Sequence, residues 1–185
     1  MRGQSLPGAH RFALALLALL CGCGYTLAGR GANVDPSIRR MGVPLFRDAT
    51  GKPGLDQKVT QKVIEEILKR GRFDVVQSAS GVDAVVDGEI VSYTVTPVGF
   101  SEATAGDEAA QPTTQASRYA VTVVARVRYS RVGQRDPIWA SDSFSFRDEY
   151  DVGEAGTFFD REEQTLDRLA QAFARNLVAA MLEAF

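Results

Sequence analysis

Residues 118–131 alternate strictly between apolar and polar side chains, and this pattern constrains the fold more than any other feature of the chain. The apolar and aromatic positions are Tyr119, Val121, Val123, Ala125, Val127 and Tyr129. The intervening positions include Arg126 and Arg128. Because successive side chains of a strand point to opposite faces, the segment predicts a strand with one buried and one polar face. Such a strand belongs to a sheet that is covered on one side only.

Two amphipathic helices are predicted to cover that sheet. The first spans about residues 55–70, and Gly71 follows it at the position that favours a C-terminal glycine. Its apolar stripe consists of Leu55, Val59, Val63, Ile64, Ile67 and Leu68. The second spans about residues 160–182. Its stripe consists of Phe159, Leu166, Leu169, Phe173, Leu177 and Met181. Each helix has one apolar face, so both can bury it on the same side of a sheet.

Other apolar runs predict the remaining strands, at residues 38–46, 72–77, 84–98 and 138–146. The third of these shifts the parity of its apolar residues near 88–91, which indicates a β-bulge. The order is strand, helix, three or four strands, helix. We therefore predict an α+β two-layer sandwich, in which one mostly antiparallel sheet of four or five strands carries two amphipathic helices on one face.

The segment 99–117 lies between two predicted strands and contains almost no large apolar side chain. Hairpin loops usually have about 2–5 residues, and structureless loops beyond about 12–15 residues tend to be functional or disordered. We predict a flexible inter-strand loop here. The sequence leaves open whether it is a tolerated insertion or a functional element.

The first 22 residues have the pattern of a secretory signal. Arg2 and Arg11 lie in a stretch without acidic residues, and the nine residues 12–20 are all apolar. Nine residues are too few to span a bilayer, which needs about 20, but they suit a signal-peptide core of about 7 to 15. We predict that residues 1–22 are removed and that residues 23–185 form a single periplasmic domain.

The two cysteines indicate which kind of signal this is. The tetrapeptide LCGC at residues 20–23 resembles the bacterial lipobox, in which leucine and two small residues precede a modified cysteine. Cys23 fits better than Cys21, because Leu20 would otherwise occupy the position next to the cleavage site. A metal or redox pair is disfavoured inside a signal, and a disulfide would close too small a ring. Cys23 is therefore the predicted lipid attachment site.

Gly24 follows the predicted lipidated cysteine. Aspartate at this position usually retains a lipoprotein in the inner membrane, so Gly24 is a sorting residue that favours the outer membrane. Several acyl chains hold a protein stably in a bilayer, whereas one chain holds it only marginally. We expect a protein anchored in outer-membrane lipid through its acyl chains, with its soluble domain on the periplasmic side.

The composition of residues 23–185 excludes several classes of enzyme. This part contains no histidine and no cysteine besides Cys23, which excludes Ser-His-Asp and Cys-His nucleophiles and the common zinc sites. Acidic pairs such as Glu65-Glu66 and Glu162-Glu163 are interpreted as solvated helix-surface charge. Neither GxxxxGK[ST] nor GxGxxG occurs. We predict a binding or structural protein that is not an enzyme and needs no cofactor or metal.

The charge balance argues against a nucleic-acid partner. Leaving out Arg2 and Arg11 reduces the 21 basic residues to 19, against 23 acidic ones. A general nucleic-acid binder would show a basic surplus instead.

Several segments together resemble the LptE family of lipopolysaccharide-assembly lipoproteins. In chain order they are CGYTLAGRG, VPLFRDATGKPGLDQ, LKRGRFDVV, VDAVVDGEI with VSYTVTP, SFRDEYD and FFDREEQTLDRLAQAFARNLV. VDAVVDGEI departs slightly from the family pattern, but the resemblance covers nearly all of residues 23–185. It implies a two-layer sandwich that plugs the LptD β-barrel, helps to assemble it and assists the delivery of lipopolysaccharide to the outer leaflet. The implied partners are an LptD-like barrel and lipopolysaccharide.

Arg126 and Arg128 are the candidate contacts to lipopolysaccharide or to the partner, because they share the polar face of their strand. A guanidinium can bind phosphate through two parallel hydrogen bonds. A second class of periplasmic lipoprotein is also similar: GRFDVV and the strand after it resemble accessory domains of the LpoB, CsgG and TolB-like type. Such domains bind a synthase or form a secretion assembly. The CGYTLAGRG start and the C-terminal helix favour the LptE family.

Overall fold

The computed structural model describes residues 35–103, 113–152 and 158–183. Within these ranges the chain forms a six-stranded sheet and two helices. The elements in chain order are β1 (Arg40–Gly42), β2 (Arg47–Asp48), α1 (Leu55–Lys69), β3 (Asp74–Val76), β4 (Ala84–Ala103), β5 (Thr113–Arg131), β6 (Trp139–Asp151) and α2 (Phe158–Glu183).

The sheet is mixed, which corrects the prediction of a mostly antiparallel sheet with four or five strands. The strand order is β3-β1-β4-β5-β6, with β2 pairing with β4 beside β1. β1 runs parallel to β3 and to β4, and β2 runs parallel to β4, whereas β4–β5 and β5–β6 are antiparallel. The parallel part follows from the order β1–α1–β3, because a strand that re-enters a sheet after a helix commonly runs parallel. The α+β class is confirmed.

Of the strand predicted at residues 38–46 only β1 forms, and β2 begins one residue beyond its predicted end, after the segment around Pro44. Phe46, in this segment, turns its backbone toward α1, and its N–H donates to the Thr60 hydroxyl at 3.0 Å. The Phe46 side chain is buried, with its ring against Gly88, where a Cβ atom would overlap it. The phenylalanine therefore joins helix and sheet, and this interrupts the strand.

β4 and β5 are longer than the sequence predicts, because both extend into the segment 99–117. Their pairing continues as far as Ala103 opposite Thr113. A ladder of backbone hydrogen bonds does not require apolar side chains, so it can pass through a segment in which apolar periodicity gives no strand signal. The outer parts of the predicted loop are strand, and its centre, residues 104–112, lies outside the described residues.

Apart from Leu68, and from Phe159, whose side chain lies outside the described residues, both helices bury the predicted stripes against the same face of the sheet. The fully buried side chains include Val59, Val63, Ile67, Val123, Ala125, Val127, Leu169, Phe173, Leu177 and Met181. Leu68 was wrongly assigned to the first stripe, since it is 50% exposed. Successive residues of an α-helix are rotated by about 100° around its axis, so Leu68 lies away from the buried face that Ile67 occupies.

Two local predictions are confirmed. The bulge expected near residues 88–91 appears as a register shift between Ile90 and Ser92 in the β4–β5 pairing. Gly71 has a φ of 66°, and its N–H donates to the Leu68 carbonyl at 2.9 Å. A residue in this left-handed conformation ends α1 in the way that glycine favours.

Candidate functional site

The sheet face opposite the helices carries a cluster of charged side chains, which we call the charged face. Its members are Arg47, Asp87, Glu89, Arg126, Arg128 and Asp142. The first five line a recess of about 350 Å³. Val127 between the two predicted arginines is fully buried, so Arg126 and Arg128 point away from the core, as the alternation predicts.

Arg126 is held by two carboxylates. Its Nη1 lies 2.8 Å from Glu89 Oε2, and its Nε lies 3.8 Å from Asp142 Oδ1. Glu89 is on β4 and Asp142 is on β6, so the guanidinium joins the two strands that flank β5. These ion pairs fix the orientation of Arg126 and neutralise much of its charge.

Arg128 differs from Arg126 in its partners. Asp87 is its direct neighbour across the β4–β5 pair, but the Asp87 carboxylate lies 3.5 Å from Arg47 Nη2 instead. Within the described ranges, no carboxylate lies in ion-pair distance of the Arg128 guanidinium. Arg128 is also exposed. Of the two arginines predicted from the sequence, it therefore has more hydrogen-bonding capacity for an external anion.

The charged face is balanced, with three arginines and three carboxylates among its members. Alternation in the sequence indicates two of the arginines, Arg126 and Arg128, but not their acidic neighbours. The sequence does indicate that Asp87 and Glu89 share a face, because they are two residues apart on β4 and successive side chains of a strand alternate between faces. Their pairing with arginines required knowledge of which strands are adjacent.

A second cluster joins the beginning of α2 to the sheet. Glu162 Oε1 accepts a hydrogen bond from Lys52 Nζ at 2.7 Å and from the Tyr93 hydroxyl at 2.5 Å. Lys52 also lies over the Tyr93 ring, 5.2 Å from its centroid. The Glu162 side chain is only 8% exposed, whereas that of Glu163 is 78% exposed. The interpretation of the acidic pairs as solvated charge is therefore wrong for Glu162. It is also wrong for Glu66, whose side chain is 11% exposed and lies 3.2 Å from Lys69 Nζ.

Burial and hydrogen bonding act in opposite directions on Glu162. Desolvation raises the pKa of this carboxyl, but the hydrogen bonds from Lys52 and Tyr93, and the positive charge of Lys52, outweigh it and hold the pKa below its ordinary value. The pKa of Tyr93 is raised, first by burial and then by its hydrogen bond to the Glu162 carboxylate. Both shifts favour an ionised glutamate beside a neutral tyrosine, so the cluster stabilises the attachment of α2.

The predicted lipid attachment site Cys23 and the sorting residue Gly24 lie outside the described residues. In the part of the chain that is described, no three histidine, cysteine, aspartate or glutamate side chains are grouped so that they could hold a metal ion. Among those same residues, neither α1 nor α2 has the length and apolar composition of a membrane-crossing helix.

Solved structures with a similar fold include several bacterial proteins. The hypothetical protein CT253 from Chlamydia trachomatis has a TM-score of 0.51 and 9% sequence identity, and the alignment covers 80% of this chain and 99% of that one. Lipoprotein GNA1162 from Neisseria meningitidis has a TM-score of 0.41 and 12% identity, covering 76% of this chain and 98% of that one. Rare lipoprotein B from Shewanella oneidensis has a TM-score of 0.38 and 13% identity, covering 77% and 92%.

No curated protein sequence shows significant similarity to the chain. A family match carries the assignment instead. The model of the LptE family, described as lipopolysaccharide-assembly, matches residues 38–181. This match runs from just before β1 to the last turn of α2 and covers well over half of the chain. The chain therefore belongs to the LptE family of lipopolysaccharide-assembly lipoproteins.

Proposed function

We propose that this protein is an outer-membrane lipoprotein that plugs an LptD-like β-barrel, helps to assemble it and assists the delivery of lipopolysaccharide to the outer leaflet. Residues 1–22 are removed, acyl chains on Cys23 hold the protein in the outer membrane, and the domain of residues 23–185 lies on the periplasmic side within the barrel lumen. The family match over residues 38–181 is the observation that carries this proposal. The role is one of binding and assembly, without catalysis.

The charged face is the surface that contacts lipopolysaccharide. Lipopolysaccharide carries clustered phosphates, and charge-assisted hydrogen bonds from arginine to phosphate are about twice as strong as neutral ones. Arg128 has an exposed guanidinium without an ion pair among the described residues, and Arg126 stands two residues along the same strand face. Arg128 binds the phosphate, while Arg126, held by Glu89, contributes less because a carboxylate already occupies its donors.

Co-purification tests the partner. The full-length protein carries a C-terminal affinity tag and is expressed in a Gram-negative cell that assembles its own lipopolysaccharide. We expect it to recover a large outer-membrane β-barrel in about equimolar amount. Recovery of a peptidoglycan synthase or of a homo-oligomer, with no barrel, would instead support the LpoB, CsgG and TolB-like class and overturn the proposal.

Two substitutions with opposite expected effects on lipopolysaccharide affinity test the charged face. Arg128→Glu removes the exposed guanidinium and should weaken binding of purified lipopolysaccharide about tenfold or more, since hydrogen bonds to charged groups contribute about 1.5–3 kcal/mol. Glu89→Gln should strengthen binding, because it releases Arg126 from its 2.8 Å ion pair. The matched control is Arg118→Glu, which reverses an exposed arginine on the same strand that is paired with Asp151 at 2.7 Å. Equal affinities for all three variants and the wild type would show that this face is ordinary solvated surface.

A further inference from the structure

One end of the sheet gathers an end of five strands. β1, β3, β4 and β6 begin there and β5 ends there, as their registers show. Backbone hydrogen bonds continue this row into the turns, because the Val132 N–H donates to the Asp83 carbonyl and the Asp83 N–H donates to the Arg40 carbonyl, each at 2.9 Å. The last turn of α1 lies at the same end, since it leads directly into β3. We call this surface, after the N-terminal chain that enters there, the tether end; it consists of residues 35–40, 68–74, 83–84 and 131–139.

The N-terminal chain is fixed where it enters the tether end. The Asp35 carboxylate lies 2.5 Å from Arg131 Nη1, and it accepts hydrogen bonds from the Ser37 hydroxyl at 2.6 Å and the Ser37 N–H at 2.9 Å. Asp83 Oδ2 accepts hydrogen bonds from the backbone N–H groups of residues 39–40, both at 2.8 Å. The first residue that the structure describes is therefore attached to the last residue of β5.

Only a short stretch of chain separates this attachment from the predicted lipid attachment site. Cys23 precedes Asp35 by twelve residues, which span at most about 40 Å when fully extended. The opposite end of the β5–β6 pairing, at Arg118, is thirteen residues from Arg131 and therefore about 44 Å away along β5, at about 3.4 Å per residue. Acyl chains on Cys23 thus keep the tether end within reach of the bilayer, whereas the opposite end reaches it only if the tether doubles back.

The tether end exposes apolar and basic side chains together. Leu68 is 50% exposed and Val132 is 55% exposed. Arg39 and Arg135 are exposed as well, and among the described residues no carboxylate lies within ion-pair distance of either guanidinium. Asp136, in the same turn as Arg135, is an exposed carboxylate. The two arginines outnumber it, so the exposed charge that has no ion pair in this part of the described chain is weakly positive.

We propose that the tether end rests on the surface of the phospholipid bilayer, with Leu68 and Val132 in the headgroup region and with Arg39 and Arg135 on lipid phosphates. This inference rests on the proposed function, which supplies the acyl anchor. The contact orients the anchored domain on the leaflet before the domain occupies the barrel.

A surface with few contact residues suffices for this role. Apolar side chains gain free energy when they leave water for the headgroup region, and each basic residue near an anionic leaflet strengthens binding about fivefold. Short linkers give effective concentrations of about millimolar, so a weak intrinsic affinity is enough once the anchor has inserted. The anchor and the tether end together therefore fix an orientation that the anchor alone does not.

Quenching of a fluorophore by brominated lipid tests the contact. Residues 24–185 contain no cysteine, so Val132→Cys introduces a single thiol for labelling. The matched control is Phe100→Cys, at an apolar position that is 62% exposed and lies toward the opposite end of β4. Both full-length lipidated variants are reconstituted without barrel into vesicles of phosphatidylethanolamine and phosphatidylglycerol, with and without bromine on the acyl chains. We expect strong quenching at position 132 and little at position 100. Equal quenching at both positions, or none at position 132, would overturn the proposal.

A charge reversal tests the phosphate contact with the same fluorophore at position 132. Arg135→Glu should lower the ratio of docked to undocked protein about fivefold or more at low salt, because it replaces an attractive charge by a repulsive one. Arg147→Glu, an equivalent reversal at an exposed position of β6 away from the tether end, should leave this ratio unchanged. Thermal unfolding checks that both variants fold like the wild type. Docking of Arg135→Glu that equals the wild type would contradict the contact with lipid phosphate.

Flotation of the same vesicles separates this inference from the proposed function. If the wild-type protein does not float with the vesicles, it has no acyl anchor, and both the anchoring and the contact are wrong. If the labelled protein floats but the fluorophore at position 132 is not quenched, the anchor stands and the contact is wrong. Flotation together with quenching at position 132 alone supports both.

Discussion

Replacing Glu162 by glutamine removes the charge that links Lys52 to Tyr93 while it keeps the volume of the side chain. Glu162 Oε1 accepts hydrogen bonds at 2.7 Å and 2.5 Å from these two residues, and the carboxylate is 8% exposed. Hydrogen bonds to charged groups contribute about 1.5–3 kcal/mol each, and loss of a buried partner costs more than that. Lys52 is 30% exposed, so water partly replaces its lost partner. We therefore expect a loss of about 1.5–3 kcal/mol in the free energy of unfolding.

The adjacent Glu163 provides the matched control. Its carboxylate is 78% exposed and its nearest ammonium, that of Lys58, is 3.9 Å away. Exposed ion pairs contribute about 0–1 kcal/mol, so Glu163→Gln should change the free energy of unfolding by less than about 0.5 kcal/mol. Urea unfolding followed by circular dichroism measures both. For a domain of this size the thermal midpoint should fall by about 3–12 °C in Glu162→Gln only. Equal changes in the free energy of unfolding for the two substitutions would contradict the stabilising role assigned to the buried Glu162 cluster.

The pH dependence of the same pair of proteins tests the electrostatic argument. The folded pKa of Glu162 lies below its ordinary value of 4.5, so the unfolded chain binds a proton more readily than the folded one as the pH falls. The stability that Glu162 contributes is therefore fully present above about pH 4.5 and is lost as the pH falls through the lower folded pKa. The difference between wild type and Glu162→Gln should shrink in that window. A difference that stayed constant down to about pH 2 would contradict the assigned pKa direction.

Further predictions concern the core and the anchor. Phe173 is fully buried, and its ring packs edge-on against that of Phe144 with 5.2 Å between the centroids. Phe173→Ala should therefore lower the free energy of unfolding in urea by about 3–5 kcal/mol. Leu68→Ala, at an exposed position, should lower it by less than about 0.5 kcal/mol. Cys23→Ala should leave an uncleaved precursor that takes up no labelled fatty acid, whereas Cys21→Ala should be processed normally; equal lipidation of both would exclude Cys23 as the acceptor. Gly24→Asp should shift the protein toward the inner membrane in density-gradient fractions, and wild-type recovery in the outer-membrane fraction would contradict the sorting role.

Only part of the candidate site could be predicted from the sequence. Alternation correctly placed Arg126 and Arg128 on the exposed face, because strand geometry alone determines on which face a side chain lies. Which of the two has spare hydrogen-bonding capacity depends on Glu89 and Asp142, which approach from neighbouring strands. Glu89 and Arg126 are 37 positions apart in the sequence, and no periodic signal connects them.

The sequence by itself determined the two helices, most of their buried stripes, the bulge in β4 and the face of each residue from 118 to 131. These features depend on local periodicity and on the conformational preference of single residues such as Gly71. Only the tertiary structure decided the parallel pairing of β1, the burial of Glu162 and the continuation of the β4–β5 pairing past the last β5–β6 pair. Each of these depends on which distant segments meet. Periodicity in the sequence predicts which face of a helix or strand is buried. Which other element covers that face depends on the packing of the whole domain.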